Sequence, residues 1–496
     1  MHRIRLDPKI SVSVVFVTAM FMSIMDSTIV NVALPSLARQ LNVPSSSIDA
    51  VVIAYLVSLA VVMPASGWLG DRWGTKRILL LALTLFTIAS AMCGLASSYG
   101  MLIIFRVLQG AAGGALTPVG TAMLYRTFPP SERVQVSRVL IFATILAPAL
   151  GPIIGGLLVT QLSWRWVFYV NVPIGILASL FGLIFLYEHK EKAPGRFDIM
   201  GFLLAGAGLP LLMYALSEGP SSGWSSINIF GSAILGTILL IAFVVVELKV
   251  SEPMIDLRLL RDRLFRSTNL VSFFSYAGFL GVLFIAPLYL QEARGVSALV
   301  SGLTTFPEAI GVVLSTQLVA RLYPRIGPRR LMAGGLTGVA ILMALLTLMG
   351  QDTNLWVMRA LMFLLGAGMA YAFLPLRAAA FATISSTSTG RASAFYSAQT
   401  QLGSALGVAI LGSVLSFFGP TTLSASGAIQ PNLLAYHAAF LVAAVLALIA
   451  ACIALTVSDK DAVVTMRRES KTIEQSEVPE IAESTDAAYS GEVKSS

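Results

Sequence analysis

Apolar residues fill the chain in runs of about twenty, parted by short clusters of Gly, Pro, Ser and charge, from Ser11 almost to Ser458. An α-helix rises about 1.5 Å per residue, so a run of that length crosses the roughly 30 Å hydrocarbon core of a bilayer. Fourteen such runs can be placed, near residues 11–34, 48–69, 78–97, 101–124, 137–160, 166–187, 199–217, 227–247, 267–290, 301–320, 331–349, 355–376, 393–417 and 435–457. The first exceeds the 7–15 apolar residues of a secretory leader, and no small-residue cleavage site follows it, so it reads as a retained span. Only 249–266 and 420–434 are longer than a turn, which leaves little room for a soluble domain. The expected fold is all-α, a polytopic membrane protein of fourteen transmembrane helices, and the polar stretch 458–496 reads as a disordered cytoplasmic tail.

Composition agrees with a chain solvated by lipid: 56% of residues are hydrophobic and 12% charged, against roughly 25% charged in a soluble domain. A net charge of +8 would suit nucleic acid, but the positions of the charges argue otherwise. With the N-terminus inside, the inner loops and tails hold 28 of the 33 Lys and Arg, and the outer loops hold only Arg39, Arg165 and Arg294. Arg106 and Arg359 fall within spans. The positive-inside rule therefore places both termini in the cytoplasm, in a protein expected in the cytoplasmic (inner) membrane with lipid as its surroundings and no nucleic-acid partner. Cys93 and Cys452 both lie in apolar runs, and His2, His189 and His437 have no ligand spacing, so no metal site is expected. No G-x-x-x-x-G-K-[ST] loop for a nucleotide occurs, and no nucleophile and base arrangement suggests an enzyme.

The chain also repeats itself. The loop G-W-L-G-D-R-W-G-T-K-R (Gly67 to Arg77) aligns at an offset of 253 with A-R-L-Y-P-R-I-G-P-R-R (Ala320 to Arg330), placing Arg72, Gly74, Lys76 and Arg77 on Arg325, Gly327, Arg329 and Arg330. The same offset carries Arg106 onto Arg359, and an offset one shorter carries Leu150, Gly151 and Gly155 onto Leu402, Gly403 and Gly407. Two related six-helix bundles are expected, over 1–190 and 267–457, with an inserted helix pair and cytoplasmic linker over 191–266.

These residues resemble a known family. G-W-L-G-D-R-W-G-T-K-R looks like the signature loop of the major facilitator superfamily, and R-V-L-Q-G-A-A-G-G-A-L-T-P (Arg106 to Pro118) is similar to its fourth-helix motif. A-P-A-L-G-P-I-I-G-G (Ala147 to Gly156) resembles its antiporter motif, with Ala147 in place of the first glycine. M-D-S-T-I-V-N-V-A-L-P, S-W-R-W-V-F-Y-V-N-V-P-I-G (Ser163 to Gly175) and R-F-D-I-M-G (Arg196 to Gly201) look like marks of the fourteen-helix drug:proton antiporter branch, the EmrB/QacA type. The resemblance implies two bundles rocking about a central site. Its gating residues would be Gly67, Asp71, Arg72, Gly74, Lys76 and Arg77, with Pro148, Gly151, Pro152, Gly155 and Gly156 on the fifth span. Physically, the glycines permit close helix approach and the prolines a bend. Asp71 is placed to meet helix termini or a base such as Arg126, and its counterpart position is Pro324, so this latch exists in one half only.

Asp26 and Glu308 are the carboxylates well inside the spans. From the helical rise, Asp26 lies roughly 12 Å, Glu308 roughly 11 Å and Arg106 about 9 Å from the outer ends of their helices. Intramembrane charge is costly unless it faces water or a partner, which marks all three for proton coupling, with a structural ion pair as the plainer alternative. Ser23, Asp26, Ser27 and Asn31 share one helical face, and Thr304, Glu308, Gly311 and Ser315 another, so both are expected to line one polar passage. Tyr55, Tyr276 and Arg359 complete the expected cavity. Neither acid repeats: the matching positions are Phe279 and Tyr55. The function expected is export of a small amphipathic, cationic compound in exchange for protons, by a monomer that uses the proton gradient and no cofactor. Export or flipping of a lipid or metabolite fits the same features, and a non-transporting sensor fits them less well.

Overall fold

The computed structural model describes residues 6–43, 48, 50–190, 196–251, 253–423 and 429–466. The apolar runs form helices α1 (Pro8–Leu41), α2 (Ala50–Trp73), α3 (Thr75–Leu95), α4 (Tyr99–Thr127) and α5 (Arg133–Gln161). The sixth run is broken at Val170 into α6 (Trp166–Tyr169) and α7 (Asn171–Phe185). Next come α8 (Ile199–Ser222), α9 (Ile227–Lys249) and α10 (Arg263–Leu288), the last extended by one wide turn over Tyr289–Ala293. The tenth run divides into α11 (Ala298–Thr305) and α12 (Pro307–Ile326), because Pro307 cannot donate to the preceding turn. The remainder is α13 (Pro328–Leu345), α14 (Leu355–Ala380), α15 (Thr389–Phe418), α16 (Leu433–Ala454) and the short α17 (Val463–Met466). A small antiparallel hairpin precedes α16, with β1 (Thr421–Leu423) paired to β2 (Ile429–Pro431).

Thirteen of the described stretches are long and apolar enough to span a bilayer, and α5 contributes the shorter apolar segment Leu146–Gln161. Leu, Ile and Val side chains stay exposed along them, as at Leu177, Ile184, Ile227 and Leu364. In lipid that exposure costs nothing, so the chain reads as a multi-pass membrane protein. Exposed Trp73 and Tyr187 sit at one level and exposed Trp166, Trp356 and Phe417 at the other, where aromatic rings favour the lipid–water boundary. The level of Trp73, where the basic loops lie, is called the basic face below, and the opposite level the far face.

Helix packing recurs along the chain. α1 packs on α5 as α10 packs on α15, α2 on α4 as α12 on α14, α3 on α4 as α13 on α14, and α3 on α7 as α13 on α16. Gly74 and Gly327, equivalent at the 253 offset, both have left-handed φ, 101° and 85°, and each starts a helix. In each case a carboxylate from beyond the sixth helix of the set satisfies the new helix start. Glu188 accepts from Lys76 N at 3.0 Å, and Asp459 accepts from Arg329 N, the equivalent residue, at 2.9 Å. Residues 458–466, expected to begin a disordered tail, are therefore ordered: Asp459 caps α13, and buried Thr465 meets the Tyr323 hydroxyl at 2.7 Å. The rest of that expected tail, 467–496, lies outside the described residues.

The pair α8 and α9 packs together, and α8 also lies against both α2 and α15. Toward the far face, Trp224 Nε1 donates to Ser413 Oγ at 2.7 Å and Ser416 Oγ to the Pro220 carbonyl at 2.9 Å, both joining the pair to α15. Toward the basic face, the Phe197 ring packs tilted against Trp68 of α2 with centroids 4.8 Å apart. The pair thus spans the seam where α2 meets α15.

Candidate functional site

Three polar groupings hold the residues that the sequence singles out. The first is buried among α1, α2, α3, α4, α6 and α7. Arg106 and Asp26, both without solvent exposure, form an ion pair at 2.5 Å. Asp26 Oδ1 accepts from Gln109 Nε2 at 2.9 Å and from Asn171 Nδ2 at 3.0 Å. Ser90 Oγ accepts from the same two amides at 3.1 and 3.2 Å and donates to the Phe168 carbonyl at 2.9 Å. Arg106 Nε donates to the Val51 carbonyl at 3.1 Å, and its guanidinium lies 4.3 Å from the centre of the Tyr55 ring. The Tyr55 hydroxyl is 3.0 Å from Ser23 Oγ. Both Asp26 oxygens are filled and a cation is held against it, which is the condition under which a buried ion pair is tolerated.

This grouping alters the expected passage. Ser23, Asp26 and Tyr55 point into the helix packing, not toward a cavity. Of the same stripe, half-buried Ser27 donates to the Ile24 carbonyl at 2.7 Å, and Asn31 is exposed. The face of α1 is wide enough that its polar residues divide between two neighbourhoods.

The second grouping lies on α11 and α12. Ser301, Thr304 and Glu308 recur at helical spacing, are 1%, 0% and 6% exposed, and each has a side-chain oxygen with no hydrogen-bond partner. Glu308 makes no ion pair among the described residues. Gly366 lets α14 close on its backbone, since a Cβ there would strike the Glu308 carbonyl. Arg359 is not its counter-ion: its guanidinium stacks 4.6 Å over Trp356, and its Nε lacks a partner. Tyr276 is buried on α10, where its hydroxyl accepts from Arg377 Nη2 at 2.9 Å and its ring packs 4.8 Å from Phe373.

The third grouping lies at the basic face, where α2 and α4 meet α15. Asp71 and Arg126 pair at 2.8 Å and are nearly buried. A Cβ on Gly390 would lie 2.8 Å from either Asp71 oxygen, so the acid reaches the first turn of α15, where helix N–H groups favour negative charge. Gly67 is as close, 2.6 Å from the Gly390 carbonyl were it to carry a Cβ. Beside this contact the Phe381 ring stacks on Tyr125 at 4.6 Å and meets Tyr396 at 5.6 Å and Phe265 at 6.3 Å. The Phe381 carbonyl accepts from Arg133, and the Arg377 carbonyl from the Tyr125 hydroxyl at 3.0 Å. Lys76 and Arg77 act within the first set instead: Lys76 Nζ donates to the Leu183 and Leu186 carbonyls at 2.9 and 2.7 Å, and Arg77 lies 3.6 Å from Glu188. Arg72 is exposed. On α5, Gly151 and Gly155 abut Thr28 and Ile29 of α1, Gly156 faces open space, Pro148 is half-buried, and the Pro152 side chain lies outside the described residues.

This architecture has known counterparts. A family model described as "Major Facilitator Superfamily" matches residues 16–370 and 268–482. The chain belongs to the Major Facilitator Superfamily. Similar superfamily proteins include a "Multidrug resistance protein B homolog" of Mycobacterium tuberculosis, 31% identical over 81% of this chain and 75% of that one. Another is a "Putative multidrug resistance protein MdtD" of Escherichia fergusonii, 31% identical over 84% of this chain and 88% of that one. Among solved structures, the human organic anion transporter MFSD10 superposes with a TM-score of 0.66 at 17% identity, over 90% of this chain and all of that one. The proton:xylose symporter XylE gives 0.64 at 16% identity, over 92% and 98%. Both likenesses speak to the superfamily fold.

Sequence reading missed Gln109 and Asn171 as partners of Asp26, and Ser90 as the hydroxyl that accepts from both amides. The first two were within reach: Gln109 is one helical turn from Arg106 in R-V-L-Q-G, and Asn171 sits in the S-W-R-W-V-F-Y-V-N-V-P-I-G stretch. Phe381, Tyr125 and Arg133 carry no such signal, because aromatic and basic residues at helix ends are ordinary in a membrane protein.

Proposed function

We propose that this protein exports amphipathic, cationic compounds across the cytoplasmic membrane in exchange for protons, with its basic face and both termini in the cytoplasm. The observation that carries the reading is Glu308, a buried acid that has no ion-pair partner among the described residues and one oxygen without a donor. A carboxylate in that setting costs several kcal/mol, and either a proton or a cationic substrate relieves the cost. Since each neutralises the same charge, they compete, and competition between two sides of the membrane gives exchange. The open hydrogen-bond capacity of Ser301 and Thr304 suits water or a ligand at the same place. The names of the mycobacterial and enterobacterial relatives support a drug as the compound exported.

Asp26 takes a different part in this reading. With its charge already matched by Arg106 and its oxygens filled by Gln109 and Asn171, it fixes α1, α4 and α7 together and leaves the proton to Glu308. The moving parts are bundles 1–190 and 267–457 with the 191–266 insertion between them. The contacts of Asp71, Gly390 and Phe381 hold a state sealed to the cytoplasm. The protein works as a monomer, needs no cofactor, and makes or breaks no covalent bond.

The test is transport by purified protein in proteoliposomes under an imposed pH gradient, across cationic dyes, neutral analogues and fluorescent lipids. Accumulation of the cationic dyes, collapsing with the gradient, is the expected result. Movement of the lipids alone would make the protein a lipid exporter, and accumulation indifferent to the gradient would remove the proton.

A further inference from the structure

The R-F-D-I-M-G stretch at the start of α8 has no part in the exchange described so far, yet it builds a second buried acidic pair. Asp198 caps α8, accepting from Gly201 N at 2.8 Å, and its Oδ2 has no partner. Glu247, in the last two turns of α9, is fully buried; its Oε1 accepts from Ile255 N at 3.4 Å and its Oε2 has no partner. The two carboxyls meet over Gly201, where a Cβ would strike Asp198 Oδ2 and lie 2.7 Å from Glu247 Oε1. The surroundings are apolar: Ala65, Ala205, Phe243, Met254 and Ile255. Among the described residues, the charged groups that act on Glu247 are Asp198, Asp256 and Arg391.

We propose that Glu247 and Asp198 form a second proton site, at the basic-face end of the α8–α9 pair, with the proton held by Glu247 and its occupancy fastening the linker to α10. The two acids are not equivalent. Asp198 lies at a helix start, where exposed N–H groups favour its charge, and Glu247 lies near a helix end, where exposed carbonyls oppose one. Two adjacent carboxylates in an apolar pocket do not both ionise. A proton on Glu247 removes the repulsion and supplies a donor beside the unpartnered Asp198 oxygen. Loss of the proton strengthens the single bond from Ile255 N but leaves two like charges in a buried pocket, a larger cost that opening the chain from α9 into α10 relieves, so that chain loosens. The step is proton binding alone, and it places a sensor of cytoplasmic pH on the helix pair that bridges α2 and α15.

Two measurements on protein in lipid nanodiscs decide this, neither of them transport. The first is the infrared carbonyl band of protonated carboxyl groups at neutral pH, in a Glu308→Gln background so that Glu308 contributes nothing. The band should be present, lost in Glu247→Gln, and shifted in frequency in Asp198→Asn. No loss on Glu247→Gln would mean Glu247 is ionised and would overturn the proposal. The second is hydrogen exchange at the Ile255 amide of the otherwise unaltered protein. Its protection should fall from neutral to alkaline pH beyond the intrinsic change in exchange chemistry, and constant protection would overturn the proposal. The exchange experiment needs no variant, so it decides even where the amide substitution prevents folding. Both stand or fall separately from drug export at Glu308.

Discussion

Asp26 and Glu308 look alike in the sequence, each a lone acid in an apolar run, yet one is clamped by Arg106, Gln109 and Asn171 and the other has an empty oxygen. Opposite consequences of neutralising them follow. Asp26→Asn leaves the Arg106 guanidinium buried without its counter-charge, a loss of about 3–5 kcal/mol for a broken buried pair. Denaturant or thermal unfolding in nanodiscs should show it, and Glu308→Gln, which strands no cation, should unfold close to the unaltered protein. Equal stability of the two variants would contradict the assignment. Glu308→Gln should also weaken equilibrium binding of cationic compounds by about 1–3 kcal/mol, the scale of a lost charge-assisted contact, while neutral analogues bind as before. That both acids would lie buried among the helices was legible from their place deep in apolar runs. Which partner each would meet was not, because helical period fixes the face a residue shares and says nothing of what that face packs against.

Among the helices, most spans were legible to within a turn, since bilayer thickness sets a length that composition must fill. The breaks at Val170 and Phe306 divide two of them, and only the second was marked, by Pro307. Less visible were the reciprocal caps, in which Glu188 and Asp459 satisfy the starts of α3 and α13. An acid just past an apolar run looks like any loop residue until the chain returns it to a glycine such as Gly74 or Gly327, whose lack of a Cβ leaves it room. Asp459→Ala should therefore cost about 0.5–2 kcal/mol, as other cap losses do. It should also speed hydrogen exchange at the Arg329 amide, and unchanged exchange there would argue against the cap. At the seal, Gly390→Ala places a methyl against the Asp71 carboxylate and forces α15 from α2. A cysteine introduced at buried Ser393 should then react faster with a water-soluble maleimide applied from the basic face, and unchanged reactivity would deny Gly390 that role.

Across the whole molecule, the duplicated design was legible from two membrane arginines and a basic loop recurring at one offset, and the packing of α1–α7 recurs in α10–α16. The seat of α8 and α9 on the seam between α2 and α15 was not, because lipid-facing and helix-facing apolar surfaces are alike in composition. Placed there, the pair is held to α15 at one end by Trp224 and to α2 at the other by Phe197, so it lies across any movement of one bundle on the other. That movement is useful only if one charge is offered to both sides in turn, and the account gives this task to Glu308. The direct measurement is substrate flux in proteoliposomes by Glu308→Gln, with and without a pH gradient. The variant should fold, should still exchange labelled for unlabelled substrate at equal concentrations, and should fail to concentrate substrate when the gradient is imposed. Uphill accumulation by Glu308→Gln equal to that of the unaltered protein would contradict the account.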